Sequence, residues 1–438
     1  MNEIHILGKY PMYGELEVQG SKNAVLPLMA ASLLHRGVTV LDHVPDITDV
    51  ACMVRILERL GAVVMRQDHR MVINATCLTS WEIPLEEVCR MRSSIIVLGA
   101  LLARMGQAVT YYPGGCSIGS RPVDYHIGLM RDMGILIREE DGRIEAKAGH
   151  YHGAEIHLPF PSVGATENAI LAATGAAGET VICGCAKEPE IVELCAFLQA
   201  MGIETVGAGT DRILVWGQTS KRDPHVRVSG DRIVAGTYLA AAAVAGGEIC
   251  LTGAPVTSMS ATLQALCSSG CLIQTEGDRI TLQAPRHLRT IPHLETTVYP
   301  GFPTDMQSIM LAVQCCGTGV GRMEETIFEG RFETALQLNK MGGRILVDIG
   351  DPVCYPGHIG NAECIGKGHT AWVQGSGGLY GAHVSDADLR GGAALVVAGL
   401  GAQGETVVHQ CHYIDRGYED LEGNLQKLGA RIHRVRDT

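Results

Sequence analysis

The chain has 438 residues, more than one hydrophobic core usually supports, so two domains are expected. Hydrophobic residues make up 46% and aromatic ones only 5%, which points to aliphatic cores and away from disorder. The net charge of −12, with no run of basic residues, argues against a nucleic-acid surface but leaves room for a local basic cleft around a small anion.

The opening MNEIHILGKYPMYG lacks a basic stretch followed by an apolar one, so it does not read as a signal peptide, and a cytoplasmic location is expected. Its strand EIHILG has no helix of its own and is expected to pair elsewhere, with the C-terminal half. From Gly20 onward one pattern repeats about every seventy residues. A polar head runs into a small-residue apolar helix, then a Gly and a short β-branched strand. The heads are GSKNAVLPLMAASLL from Gly20, MRSSIIVLGALLARMG from Met91, SVGATENAILAATGAAG from Ser162, DRIVAGTYLAAAAVAGG from Asp231, PTDMQSIMLAVQCCGTG from Pro303 and ADLRGGAALVVAGLGAQG from Ala387. Each copy closes with a second helix, a Gly turn and a strand, as in LERLGAVV, LMRDMGILI and LQKLGARIHRV. Six α/β units divide into three plus three. The polar stretch 217–232 is the best domain crossing, giving one domain over residues 20–229 and a second from 1–19 plus 230–438. The longest apolar runs, residues 23–34 and 238–244, are too short to span a bilayer. After the fifth unit, residues 349–377 add a Gly-, His- and Cys-rich insert, read as a hairpin extension in preference to a metal site at Cys354, His358, Cys364 and His369.

The repeat places Lys22, Asn23, Arg92, Asp231, Arg232, Asp305, Asp388 and Arg390 at helix starts, where free N–H groups and the positive dipole end suit anions. For Asp231, Asp305 and Asp388 a plain N-cap role competes with that reading. Fifteen cysteines are scattered without a CxxC pair. Cys52, Cys195, Cys267, Cys315 and Cys316 lie in helical apolar stretches and read as small buried hydrophobes. Cys116 differs, because it sits in the Gly-rich loop YYPGGCSIGSRPVD at residues 111–124, close to Arg121. It is either an acid or nucleophile with a lowered pKa or an incidental loop thiol. Arg416, in CHYIDRGYED, is either an anion clamp or half of a surface ion pair with Glu419 or Asp420. Together these cationic residues suggest a small, strongly anionic substrate held between two lobes.

The segments KNAVLPL, PGGCSIGSRPVD, SVGATENAILAA, YPGFPTDMQ, EGRF, ADLRGGAALVVAG and HYIDRGYEDLEGNLQKLGA resemble the enolpyruvyl transferase (EPSP synthase) family. The PGGC loop and the GSKN start are similar to the branch that acts on UDP-N-acetylglucosamine. The resemblance runs from Ile4 to Val435. It implies two inside-out α/β barrels, each of three βαβαββ units. It implies transfer of the enolpyruvyl group of phosphoenolpyruvate to the 3′-hydroxyl of UDP-N-acetylglucosamine with release of phosphate, the first committed step of peptidoglycan synthesis, with no cofactor or metal. Carried over by motif, Cys116 is the proton donor and Asp305 the base, while Lys22, Arg121 and Arg416 hold the phosphate. Asn23, Arg92, Arg331, Asp388 and Arg390 line the cleft. Pro122, Val123, Asp124, Tyr125, Ser162 and Val163 grip the nucleotide, and Ile327 contacts the sugar. Phe160, Val234 and Gly330 depart from the family pattern, at positions where members carry Lys, Glu and Asn. A changed nucleotide-sugar acceptor and a non-catalytic nucleotide-sugar-binding regulator are the alternatives. The motifs carry no information on oligomeric state.

Overall fold

The computed structural model describes residues 2–112, 123–149, 151–217, 219, 222–328, 330–348, 369–385 and 387–436. Contacts within the chain group into two compact units. One comprises Gly20–Gly115 with Arg121–Ser229, the other Met1–Gln19 with Gly230–Thr438. Each has its own buried aliphatic core, so each satisfies the usual physical definition of a domain.

Six sheets share one plan. An incoming strand runs parallel to the strand that leaves the inner helix, and a hairpin then adds antiparallel. In the first unit the strand His225–Arg227 lies parallel to Val38–Asp42, which pairs antiparallel with Arg70–Asn74, and Val63–Gln67 closes the edge. The strand Glu155–His157 plays the same part beside Glu179–Cys183. In the middle sheet it shrinks to a single parallel bridge, Glu82 to Val109. The second unit repeats the plan with Met12–Glu17 beside Gly247–Thr252, His293–Glu295 beside Thr318–Glu324, and His383–Ser385 beside Glu405–His409. In the last sheet one hairpin strand comes from the other end of the sequence. The N-terminal strand Asn2–Leu7 takes that place, antiparallel to both Glu405–His409 and Arg431–Arg436. The opening strand therefore pairs with the C-terminal half, as its lack of a helix suggested.

The boundary expected for the insert after the fifth unit is corrected at its far end. Thr370–Ser376 is the ordinary closing strand of that repeat, paired with Thr318–Glu324 and Ile345–Asp348. Residues 349–368, including Cys354, His358 and Cys364, lie outside the described residues. His369 is tied by its backbone oxygen to the Glu325 amide at 2.8 Å.

The inner helices are buried on every side. All of Gln307–Cys316 and all of Leu389–Gly401 are inaccessible, as is nearly all of Arg232–Ala245. Helices buried on nearly every side must be enclosed, and the Ala and Gly residues of Arg232–Ala245 and Leu389–Gly401 let them pack closely inside the ring of sheets. The outer helices are amphipathic instead. This corrects one reading. Cys52, Cys195, Cys315 and Cys316 are buried, but Cys267 is exposed, because Ala265 and Leu266 point the inward side of Ser260–Ser268 away from it.

In the first unit one side chain ties the inner helices together. Asn168, wholly buried in the helix Val163–Ala173, accepts the Gly99 N–H at 2.7 Å through its Oδ1. Its Nδ2 donates to the Ile95 carbonyl at 2.8 Å and meets His126 Nδ1 at 2.9 Å. The Gly99 donor fixes the amide orientation, so His126 Nδ1 must accept and the ring must be neutral. A Cβ on Gly99 would fall 2.5 Å from Asn168 Oδ1, so only glycine allows this approach. Burial, helped by the positive charge of Arg92, holds His126 down to about 4.

The depressed pKa makes the first unit acid-sensitive. The unfolded chain takes up this proton near pH 6.5 and the folded chain only near 4. The histidine's contribution is thus complete above about pH 6.5 and is lost as pH falls toward 4, by about 3 kcal/mol in all. His126→Gln should be less stable at pH 7.5 but show a flatter loss between pH 6.5 and 4.5. Urea denaturation at both pH values measures this, and an equal pH slope in the two proteins would rule it out.

Candidate active site

The six inner helices start in two ways. Four are capped by a side chain. Ser21 Oγ accepts from the Ala24 amide at 3.3 Å and Ser162 Oγ from Ala165 at 3.4 Å. Asp231 accepts from Ile233 and Val234 at 2.9 and 3.0 Å, and Asp388 from Arg390 and Gly391 at 3.0 and 2.9 Å. The plain N-cap reading thus describes Asp231 and Asp388. The other two inner helices open with a 3₁₀ turn, Arg92–Ile96 and Thr304–Met306, and have no side-chain cap. Those turns carry Arg92 and Asp305, so neither side chain is spent on capping.

Asp305 turns instead to two arginines. Its Oδ1 accepts from Arg331 Nη2 at 2.9 Å and its Oδ2 from Arg390 Nη2 at 3.2 Å. Asp388 Oδ2 lies 3.7 Å from Arg331 Nη1. The two guanidinium groups are 4% and 3% exposed, whereas Asp305 is partly open to solvent. The face of Arg390 lies 5.5 Å from the ring centre of Tyr418, and Arg331 lies 5.1 Å from that of Phe328. Arg331 Nε and Nη1 and Arg390 Nη1 find no hydrogen-bond partner among the described residues. Buried N–H groups left unpaired are costly, and donors of this kind pair well with acceptor oxygens. Burial opposes the charge on Arg390, and the charges of Asp305 and Asp231 help hold it protonated.

Sequence reasoning missed Glu325. This carboxylate is 1% exposed and joins the two segments that carry the cluster. One oxygen accepts from the Ile327 and Phe328 amides at 2.8 and 3.1 Å, and the other from the Thr304 hydroxyl at 2.9 Å. It therefore sets the loop of Ile327 against the turn of Asp305. Its sole trace in the sequence is an acidic residue inside MEETIF, which resembles any surface charge.

Arg416 ends the turn Cys411–Arg416 and is partly exposed. Its neighbour Asp415 is held by both Nη atoms of Arg434, at 2.8 and 2.7 Å. Asp420 caps its own helix through the Gly423 amide at 3.1 Å.

In the first unit, Lys22 Nζ meets Asp49 Oδ2 at 2.7 Å. Asp49 was not singled out from the sequence. It comes from the start of the next helix, Thr48–Arg59, and offsets the unfavourable cation at a helix N-terminus. The position of Lys22 alone is therefore weaker evidence for an anion site than its place in the sequence suggested. Asn23 follows it on the helix Lys22–Ser32, and Arg92 approaches His126. Val123 is buried, Asp124 opens the helix Asp124–Asp132 and is exposed, and Tyr125 is half-buried. Ser162 and Val163 head the helix Val163–Ala173 and are also half-buried. Cys116, Arg121 and Pro122 lie outside the described residues. Of the three departures, Val234 is fully buried in its helix, Phe160 is half-buried, and Gly330 lies in a turn next to Arg331.

Similarity to known proteins agrees with this layout. Residues 7–425 match the family model of EPSP synthase (3-phosphoshikimate 1-carboxyvinyltransferase). The chain is 41% identical over 435 residues to UDP-N-acetylglucosamine 1-carboxyvinyltransferase 2 of Caldanaerobacter subterraneus subsp. tengcongensis, covering 99% of this chain and 100% of that one. It is 42% identical to UDP-N-acetylglucosamine 1-carboxyvinyltransferase 1 of Symbiobacterium thermophilum, covering 99% and 96%. Among solved structures, the enolpyruvyl transferase NikO from Streptomyces tendae superposes with a TM-score of 0.86 at 22% identity, covering 99% of each chain. EPSP synthase from Acinetobacter baumannii gives 0.73 at 17% identity and covers 100% of both chains. These two establish the fold, a mixed α/β architecture consistent with two inside-out barrels. The sequence matches go further: the chain belongs to the EPSP synthase family of carboxyvinyl transferases, among the UDP-N-acetylglucosamine 1-carboxyvinyltransferases.

Proposed function

We propose that this protein transfers the enolpyruvyl group of phosphoenolpyruvate to the 3′-hydroxyl of UDP-N-acetylglucosamine and releases phosphate. The observation that carries the reading is the Asp305 carboxylate between two buried guanidinium groups that still have N–H donors to give. The chemistry needs a group to take the hydroxyl proton, cations for a phosphate and a carboxylate, and an acid for the methylene carbon. Asp305 takes the sugar proton as the oxygen adds to C2 of phosphoenolpyruvate. The Cys116 thiol delivers a proton to C3, giving a tetrahedral adduct that still bears phosphate. Loss of a C3 proton and of the phosphate then restores the double bond on the sugar ether. Arg331, Asp388 and Arg390 are assigned to the reacting groups around Asp305, and Asn23 and Arg92 of the first unit are assigned by motif to the same reaction, while Lys22, Arg121 and Arg416 are assigned to the phosphate. Pro122, Val123, Asp124, Tyr125, Ser162 and Val163 are assigned to the nucleotide and Ile327 to the sugar. The product feeds peptidoglycan synthesis. Both substrates are soluble metabolites, so we place the reaction in the cytoplasm, and no described helix is long and apolar enough to cross a membrane. Phosphate release from phosphoenolpyruvate that depends on UDP-N-acetylglucosamine tests the reading, and release with another acceptor alone would overturn it.

Two substitutions probe the assigned groups. Asp305→Ala should lower kcat by roughly a hundredfold or more, as loss of a group acting mainly in the transition state does. Glu325→Gln keeps its acceptor oxygen and should cost much less. Steady-state kinetics of the two variants decide this, and a near-normal kcat for Asp305→Ala would remove it from the reaction.

Cys116 should be the first of the fifteen cysteines to react with an electrophilic phosphonate such as fosfomycin. Among the described thiols, burial pushes Cys52, Cys185, Cys271 and Cys316 up to about 12, which keeps them protonated and inert. Cys116→Asp should retain activity and escape the reagent, since a carboxyl donates a proton but is a poor target for alkylation. Peptide mapping by mass spectrometry reads the outcome, and first modification at any other cysteine would refute the assignment.

A further inference from the structure

We propose that Glu155, His157 and Cys183 form a surface site for a zinc-class divalent cation in the first unit. The three come from two strands, and the pleat places them together. Glu155 and His157 are two apart on the strand Glu155–His157, so both face outward while Ile156 is buried between them. That strand runs parallel to Glu179–Cys183, with His157 in register with Cys183. Parallel register puts the Cys183 side chain on the same face as the imidazole.

Distances support the grouping. His157 Nε2 lies 3.2 Å from Glu155 Oε1. One ligand atom from each of the three residues lies within 4.8 Å of the other two. Tetrahedral coordination at zinc bond lengths separates ligand atoms by about 3.3–3.8 Å, a closure that side-chain rotation on two fixed strands can supply. Cys183 is a free, half-exposed thiol. Its near neighbour Cys185 is a different case: it is buried, and its Sγ donates to the Ile182 carbonyl at 3.2 Å. Gly184, with φ of +75°, turns the chain between them. Arg212 is the register partner of Cys183 on the next strand.

The donor set chooses the ion. A thiolate, an imidazole and a carboxylate suit zinc, with water or an outside ligand in the fourth position, and do not suit magnesium or calcium, which take oxygen. The fifth repeat offers a contrast at the same place in its sheet. His293, Glu295 and Glu324 also converge there, but Glu324 is paired with Arg322 and no thiol is present. The first cluster has the softer donors, and among the described ion pairs its carboxylate meets only the imidazole of His157 and no Lys or Arg. The bound ion would pin the three-residue edge strand to its neighbour.

Cobalt(II) titration of the reduced, full-length protein under argon tests this. Wild type should develop a thiolate-to-cobalt charge-transfer band in the near ultraviolet, saturating at one equivalent and bleached by zinc. Cys183→Ser should abolish the band. His157→Ala and Glu155→Gln should weaken binding by about tenfold or more, since removal of a ligand costs at least as much as loss of its outer-sphere support. Zinc should raise the thermal midpoint of wild type and leave that of Cys183→Ser unchanged. A band of wild-type strength in Cys183→Ser would place the metal on another cysteine and overturn the proposal, as would the absence of any band in wild type.

Discussion

Inner helices that bury nearly all of their largely apolar surface can persist in water only if something covers them on every side. This constraint shapes both units. Ala- and Gly-rich helices pack against one another, and the sheets form the cover, each one assembled from strands of more than one repeat. The borrowed strands follow from it. A repeat that ended its own sheet would leave a long unpaired edge, so each takes an incoming strand from elsewhere in the chain. In the sixth repeat's sheet Asn2–Leu7 takes the place that the last hairpin strand holds in the other repeats. The core is thereby closed at the cost of linking residue 2 to residue 436.

Enclosure leaves the helix ends as the natural places for charge. A buried guanidinium is tolerable only beside a carboxylate, and removing one partner of such a pair typically costs about 3–5 kcal/mol. Arg331 and Arg390 meet that condition through Asp305 and Asp388. The pairing is incomplete by design of the geometry: two acids neutralise two bases, yet three guanidinium nitrogens keep unused donors. Neutralisation makes the buried charges tolerable, and the spare donors are of the kind that pair with anionic oxygens.

The architecture was legible because periodicity survives in a single sequence. Small-residue helices followed by Gly and β-branched strands recur six times, and the motifs around Asp305, Asp388 and Arg416 are contiguous strings. Less was legible where function depends on contacts between distant segments. Glu325 is an ordinary acidic residue until its bonds to Thr304, Ile327 and Phe328 are seen. Asp49 is likewise silent until its distance to Lys22 is known. Asn168 reads as one of three polar residues in a mostly apolar helix, yet it fixes Ile95, Gly99 and His126 in place. Glu155, His157 and Cys183 are invisible to spacing rules, because a parallel register between two strands brings them together. The misplaced end of the insert had the opposite cause. Gly- and His-rich composition hid the regular strand Thr370–Ser376.

The repeat also shows how one position acquires different work. A side chain at the head of an inner helix faces four unpaired amides, and the least costly use of an acid or hydroxyl there is to cap them. Ser21, Ser162, Asp231 and Asp388 do this. Opening with a 3₁₀ turn tightens the backbone and removes the demand, because the turn's own bonds occupy some of those groups. Thr304–Met306 has that form, so the Asp305 carboxylate is released from its own helix and is held by Arg390 from another inner helix and by Arg331 from the turn before Glu333–Lys340. Arg92–Ile96 has the same form in the first unit and presents a cation that no N-cap position would favour. The difference between an acid that caps its own helix and an acid that faces two guanidinium groups is thus set by one turn of backbone, while the residue type and its place in the repeat stay the same.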